Sequence, residues 1–279
     1  MPELPEVETV RRTLHHLAIG KEIASVSVYW GNIIKHPQDP KEFDRLLRGQ
    51  TIRDIERKGK FLIFQLDDLS LVSHLRMEGK FGVYESSMEK PKHTHVIFHF
   101  TDGTELRYND VRKFGTMHAF RKGEESSVKP LVQLGPDPFE EAFTLDYFYM
   151  KLMKTSRNMK AVLLDQSIVA GLGNIYVDEA LFRAKVHPER IANTLTREEA
   201  AKVREASISV ILEAIEQGGT TIRSYSNSQG EIGMFQQKLR VYGKQDEDCV
   251  ECGTPIEKRK VSGRGTHICP NCQRLVVSE

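Results

Sequence analysis

The chain has 279 residues, enough for two domains and a small third module. Apolar residues make up 39% and aromatics 8%, as in an ordinary folded protein with a sizeable core. Lys plus Arg (40) nearly balance Asp plus Glu (39), and a net charge of +1 excludes a general nucleic-acid coat protein, so any nucleic-acid surface must come from local clustering. No apolar run reaches the roughly 18 residues of a spanning helix, so no membrane is expected. The start shows no basic stretch followed by an apolar one, so no signal peptide is expected either, which places the chain in the cytosol.

The chain opens Met-Pro-Glu-Leu-Pro-Glu-Val-Glu. A small residue after the initiator Met favours its removal, which would leave Pro2 with a free secondary amine. Such an amine can attack a carbonyl carbon and form an iminium. A chain-terminal amine titrates near about 7.7–8.0, against about 10.4 for lysine, so more of it is free at neutral pH. Glu3 beside it can give or take a proton. Taken alone, these residues read more simply: Pro2 and Pro5 stop fraying, and Glu3 pre-caps a helix.

Val7, Val10, Leu14 and Leu17 then recur at helical spacing, and Gly20 stops the helix. Short apolar or alternating runs follow at 23–30, 52–56, 61–66, 69–74, 81–84, 96–100, 105–108 and 116–120, separated by turn signals such as Asp67-Asp68 and Asp102-Gly103. Many short strands at this spacing predict a β-sandwich or barrel. Leu134-Gly-Pro-Asp-Pro138 reads as a linker. From 145 to 217 the period is helical, most clearly over 198–217, where Ala201, Val203, Ile208, Ile211, Leu212 and Ile215 build an apolar face and Gly218-Gly219 ends it. Within this region Ala170-Gly-Leu-Gly-Asn-Ile-Tyr176 separates two helical stretches. Gly171 and Gly173 permit a tight turn with positive φ, and Asn174 opens the next helix. A helix N-terminus is a ready phosphate site, although two glycines between helices most often only turn the chain.

All four cysteines fall at the C-terminal end: Cys249, Cys252, Cys269 and Cys272. Two C-x2-C knuckles sixteen residues apart fit a four-cysteine zinc ribbon, and a cytosolic chain argues against disulfides. One Zn2+ held by four thiolates is coordinatively closed and structural. Between the knuckles, Val261 and Ile268 mark two short strands, and Ser262-Gly-Arg-Gly265 reads as the turn joining them. Residues 253–278 carry five basic side chains against one acid, Glu257. Such a hairpin suits a phosphate backbone or is simply a solvated turn; Arg264, between two glycines, is expected to reach furthest.

The opening Pro2-Glu-Leu-Pro-Glu-Val-Glu8, the Gly-Leu-Gly-Asn-Ile-Tyr turn and the terminal four-cysteine ribbon occur together and in this order. The chain closely resembles the bacterial formamidopyrimidine-DNA glycosylases, also called 8-oxoguanine DNA glycosylases, from Pro2 to about Gln273. The resemblance implies an α+β, multidomain fold. Its parts are an N-terminal β-sandwich with an opening helix (1–133), a helix-two-turn-helix domain (134–235) and a zinc finger (236–279), with DNA in the cleft between lobes. It implies a bacterial cytoplasmic monomer that acts on double-stranded DNA containing oxidised purines in base excision repair, with β,δ-elimination at the resulting abasic site. Pro2 matches the nucleophile at C1′ and Glu3 the acid that protonates the sugar. Lys60 matches the lysine proton donor for β-elimination, with Lys58 its nearest rival. Arg264 matches the finger arginine of δ-elimination and phosphate contact. Asn174 matches the residue that grips a backbone phosphate, and His93 a DNA-contacting histidine. Met77, Arg112 and Phe114 match the side chains that fill the gap left by a flipped base. The polar, glycine-rich stretch 218–233 looks like a damage-sensing loop. Two alternatives remain at this point: an endonuclease VIII-like enzyme for oxidised pyrimidines, whose usual start has Gly where this chain has Leu4, and a zinc-ribbon DNA-binding protein without catalysis. Gln245-Asp-Glu-Asp248 departs from the Gly-Glu-Pro common in relatives and should weaken nonspecific binding slightly.

Overall fold

The computed structural model describes residues 1–220 and 234–276; most of the proposed damage-sensing stretch, 221–233, lies outside them. The chain divides into two compact units, Met1–Val132 with Gly218–Gly233, and Gln133–Gln217 with Met234–Glu279. The first unit is therefore discontinuous in sequence.

In chain order the first unit contains α1 (Leu4–Ala18), β1 (Ile23–Val28), β2 (Ile34–His36), α2 (Pro40–Leu47), β3 (Asp54–Lys58), β4 (Phe61–Gln65), β5 (Leu69–His74), β6 (Lys80–Glu85), β7 (Thr94–Phe100), β8 (Thr104–Asn109) and β9 (Thr116–Arg121). The strands form two sheets, in the orders β1-β7-β8-β6 and β2-β9-β5-β4-β3. Val26, Phe81, Phe98 and Leu106 of one sheet share a core with Ile55, Leu62, Phe64, Leu71 and Met117 of the other, and Val7, Val10 and Leu14 of α1 join it. This is the expected sandwich with an opening helix. Every residue of β4 and β5 is buried, including Gln65, Ser70, Ser73 and His74, so neither strand shows a strict alternation of apolar and polar residues.

The sequence reading passed over β2 and α2. Strand β2 has only three residues. Helix α2 had a start signal: the Asp39 carboxylate accepts the Lys41 N–H at 2.9 Å and Pro40 occupies the first turn. Its buried face, however, is only Phe43 and Leu47, too little for a periodic pattern.

The second unit contains α3 (Leu145–Met153), α4 (Met159–Leu164), α5 (Asn174–Arg183), α6 (Arg197–Glu216) and the hairpin β10 (Glu257–Val261) with β11 (Arg264–Ile268). Two expectations need correction here. Residues 135–138 are buried, not a free linker. Gly135 N–H donates to the Gln166 carbonyl at 2.8 Å and Ala170 N–H to that of Pro136 at 2.9 Å. A Cβ at Gly135 would meet the Ile168 carbonyl oxygen at 2.7 Å, so the segment docks there only with glycine. On α6 the buried face is Ala200, Val203, Ala206, Ser207, Val210, Ile211 and Ala214, whereas Leu212 is exposed. Small residues line it because they allow close helix packing, and a count of large apolar residues misplaces such a face.

Candidate active site and nucleic-acid interface

The first turn of α1 is closed by its own acids. Glu3, 3% exposed, is the N-cap residue, and its N–H donates to the Glu6 carboxylate at 2.8 Å, one half of a capping box. Pro2 is buried against this turn, and Met1 is exposed. The other Glu6 oxygen accepts the Thr220 N–H at 2.8 Å and its hydroxyl at 3.1 Å. Gly219, with φ +81, passes so close that a Cβ would lie 2.7 Å from Glu6 Oε1.

One turn further, Glu8 staples α1 to the β3–β4 hairpin. Its carboxylate accepts Nε and Nη2 of Arg11 (3.0 and 2.9 Å), Nε of Arg12 (2.9 Å) and Nε of Arg57 (3.2 Å). Burial would push the Glu8 carboxyl up, but the hydrogen bond and charge of Arg11, with Arg57 and Arg12, hold it below the usual carboxylate range. Arg11 Nη1 also donates to the Ile55 carbonyl (3.2 Å) and Arg57 Nη1 to that of Gly59 (2.9 Å). The hairpin turns through Gly59, at φ +55, and Lys60. Lys60 is 5% exposed, whereas Lys58 is only half-buried. On the neighbouring strand, burial, with the charges of Arg76 and Lys60, pushes the His74 imidazole down to about 3. It is therefore neutral at pH 7, and its Nδ1 accepts the Arg76 N–H at 2.9 Å.

Met77 and Phe114 are exposed by 39% and 54%, two of several large apolar side chains at the surface. The Arg112 guanidinium lies 4.8 Å from the Phe114 ring centroid. His93 is exposed and has φ +63. These four come from the loops that join strands β5–β6, β6–β7 and β8–β9.

In the second unit, Asn174 is the first residue of α5 and donates from Nδ2 to the Gly265 carbonyl at 2.9 Å. Its N-cap, Gly173, carries no side chain to cap the helix and is extended (φ −136); of the two turn glycines only Gly171 has positive φ. Ser262 and Gly263 both have positive φ and alone form the hairpin turn, so Arg264 begins β11, opposite Val261. Two consecutive residues of this kind make a two-residue type I′ turn, and the four-residue turn expected from the sequence is unnecessary. Arg264 is exposed beside that turn.

The four cysteine sulfurs lie within 4.8 Å of one another. Cys252 and Cys269 are 3.5 Å apart and Cys249 and Cys272 4.0 Å. A tetrahedron with Zn–S near 2.3 Å has edges of about 3.8 Å, so the residues fit one Zn2+; a disulfide would need sulfurs about 2.05 Å apart.

Comparison with known proteins agrees with this arrangement. Profiles of the formamidopyrimidine-DNA glycosylase N-terminal domain, of the H2TH domain of the same enzymes and of a zinc finger found in FPG and IleRS match residues 1–117, 134–226 and 246–275. The chain belongs to the formamidopyrimidine-DNA glycosylase family. A formamidopyrimidine-DNA glycosylase of Cytobacillus firmus is 62% identical over 98% of this chain and 100% of its own length. A crystal structure of a Lactococcus lactis FPG mutant with Fapy-dG-containing DNA is 42% identical and superposes with a TM-score of 0.93, covering 98% of this chain and 100% of that one. A complex of the Lactococcus lactis enzyme with abasic-site DNA matches with a TM-score of 0.91 at 42% identity, over 98% of this chain and 99% of that one.

Several buried charges in each unit escaped the sequence reading. Glu6, Glu8 and Arg57 are among them, because a charge on an amphipathic helix or strand is expected to face solvent. On α5, the buried Asp178 pairs with Lys160 and accepts the His267 N–H of β11 at 2.9 Å. Its neighbour Glu179 accepts the N–H groups of Arg240 (3.0 Å), Val241 (2.9 Å) and Tyr242 (2.9 Å). Burial pushes the Glu179 carboxyl up although these three donors oppose the shift. The adjacent acids thus bind the finger and the segment leading into it to one helix. Only their place right after Asn174-Ile-Tyr-Val177, which opens α5 behind the Gly-Leu-Gly turn, could have signalled it.

Proposed function

We propose that this protein is a base-excision-repair DNA glycosylase and AP lyase that removes oxidised purines, such as 8-oxoguanine and formamidopyrimidines, from duplex DNA. The observation that carries the proposal is the buried Pro2-Glu3 pair at the start of α1, on the helix that Glu8 staples to the hairpin bearing the buried Lys60. Family membership and the relatives crystallised with Fapy-dG and abasic-site DNA support it. They also favour purine lesions over the pyrimidines of an endonuclease VIII-like enzyme.

In this reading Met1 is removed and the Pro2 nitrogen forms a bond to C1′ as the C1′–N bond to the base breaks; the base leaves with that bond's electron pair and takes up a proton, and the Pro2 nitrogen gives up its own proton. Glu3 protonates the sugar ring oxygen, the ring opens, and the nitrogen lone pair completes an iminium. The iminium acidifies C2′; loss of that proton expels the 3′ phosphate, and a second elimination expels the 5′ phosphate. Lys60 serves the first elimination as proton donor and Arg264 the second. Water then hydrolyses the iminium and releases Pro2. Asn174, His93 and Arg264 hold phosphates, while Met77, Arg112 and Phe114 occupy the space vacated by the extruded base. Cys249, Cys252, Cys269 and Cys272 hold one Zn2+, which supplies structure only. The working segments are 1–133, 134–235 and 236–279, and the protein acts in the bacterial cytoplasm as a monomer.

Borohydride trapping on duplex 8-oxoguanine opposite cytosine tests the proposal. The wild-type protein should form a covalent adduct with DNA, and Pro2→Gly should excise far more slowly. Glu3→Gln should bind damaged DNA normally and excise little. Full trapping by a form whose intact mass shows Met1 retained would overturn the assignment of Pro2.

A further inference from the structure

The loops carrying Met77 and the Arg112–Phe114 pair meet at one buried phenol. Tyr108 of β8 is fully buried. A Cβ at Gly79, which closes the Met77 loop, would lie 2.2 Å from the Tyr108 oxygen and 2.5 Å from the Leu75 carbonyl oxygen. A Cβ at Gly115, which closes the Arg112–Phe114 loop, would lie 1.7 Å from the same phenol oxygen. Both loops therefore rest on Tyr108 with no room for a side chain.

Asp110, 1% exposed, fastens this support to the second loop. Its Oδ1 accepts the Arg112 N–H at 3.0 Å; its Oδ2 accepts the Gly115 N–H at 2.8 Å and the Tyr108 hydroxyl at 3.3 Å. Its own N–H donates to the carbonyl of His93 at 3.0 Å. Its carbonyl accepts His95 Nε2–H at 2.8 Å and the Lys113 N–H at 3.3 Å. One residue thus holds the Arg112–Phe114 loop, the His93 position and, through Tyr108, the loop of Met77.

We propose that Asp110 and Tyr108 are positioning residues for base extrusion, fixing the height and spacing of the two loops so that Met77, Arg112 and Phe114 enter the duplex as one rigid body. Neither residue touches the reacting atoms. The inference rests on the glycosylase reading above. Its physical basis is preorganisation: a wedge that must be ordered at insertion loses part of the gain from filling the gap, whereas one held by buried hydrogen bonds does not.

Asp110→Asn provides the test. The amide keeps the volume but has one acceptor oxygen, and its NH2 must face another donor, Arg112 N–H or Gly115 N–H. Single-turnover excision of 8-oxoguanine from a matched duplex should fall by about 100-fold, the scale of a misplaced positioning group. A 2-aminopurine beside the lesion should show its unstacking slowed by the same factor. Borohydride trapping on the same duplex with a preformed abasic site, where no base has to be unstacked, should fall no more than about 3-fold. In a Met77→Ala/Phe114→Ala background, Asp110→Asn should add little, because the wedge it positions is already gone. Tyr108→Phe keeps the ring under both loops and loses one hydrogen bond, so it should show the same contrast at about 5-fold; it also carries the test if Asp110→Asn fails to fold. Equal losses on the lesion and on the abasic site, or full additivity with the wedge truncations, would overturn the proposal. A wild-type protein that neither excises the lesion nor traps on the abasic site would instead overturn the glycosylase reading itself.

Discussion

The β3–β4 and β10–β11 hairpins use the same device for different ends. Each turns through two residues and sets a basic side chain at or beside its tip: Lys60 in the first, Arg264 in the second. Lys60 is buried, and its hairpin is stapled to α1 through the Arg57–Glu8 ion pair. Arg264 is exposed, and its hairpin is held from behind by Asn174 on Gly265 and Asp178 on His267. A cation out of water suits proton transfer, where a fixed position matters. A cation in water suits a phosphate, where charge and reach are enough. Turn geometry alone does not tell the two apart; what each hairpin is fastened to does.

The sharpest way to break this comparison is to remove the buried cation. Lys60→Ala should slow formation of cleaved product by about 100-fold or more, with the trapped adduct still forming and binding of an abasic-analogue duplex nearly unchanged. If it loses affinity and keeps chemistry, the two hairpins have been assigned the wrong way round. Next in size is loss of the finger. Cys252→Ser, or chelation, should unfold the ribbon and lower DNA affinity by about 10- to 100-fold, while the sheet unit stays folded by circular dichroism. Arg264→Ala should be milder. Zinc content should be unchanged, the slope of log affinity against log salt should become shallower by about one counterion, and product gels should show the last strand-cleavage step impaired.

The last effect concerns pH and stability in place of DNA. His74 is depressed to about 3 when folded, against 6.5 as its ordinary value. Its contribution to stability is therefore complete above pH 6.5, falls as the unfolded chain binds a proton that the folded chain excludes, and levels off below pH 3. At pH 5 the loss should be about 2 kcal/mol. His74→Phe should flatten urea-denaturation stability across that window. Glu8, also depressed, acts in the same direction but only below its ordinary value of 4.5.

The sequence foreshadowed most of the strands because their turn signals, such as Asp102-Gly103, are local. The cysteine ligands were legible for the same reason: their spacing is the geometry. The catalytic reading proposed for Pro2, by contrast, rests on its combination with the ribbon and the Gly-Leu-Gly turn. Glu8 and Asp178 were invisible because each is defined by a partner far along the chain: Arg57 lies 49 residues from Glu8, and His267 lies 89 residues from Asp178. Asp110 was invisible although its partners are near in sequence, because they are backbone N–H groups and a buried phenol, which carry no sequence signal. A buried carboxylate has the same letter as a solvated one. Arg264 was displaced from tip to strand for a related reason, since the conformation of Ser262 decides where the ladder resumes.

The link from Glu6 to Thr220 has a consequence for biosynthesis. Its two hydrogen bonds span 214 positions, so the first unit begins at the first codons and is completed only after the whole helical segment to Gln217 has been made. At about 5–20 residues per second, a nascent sandwich waits on the order of ten seconds or more for its last contacts. Throughout that interval the Glu6 carboxylate lacks both bonds from Thr220. A ribosome-bound chain stalled before residue 220 should therefore be more sensitive to protease around α1 than one released past it. The first helix to emerge is among the last to be fully secured.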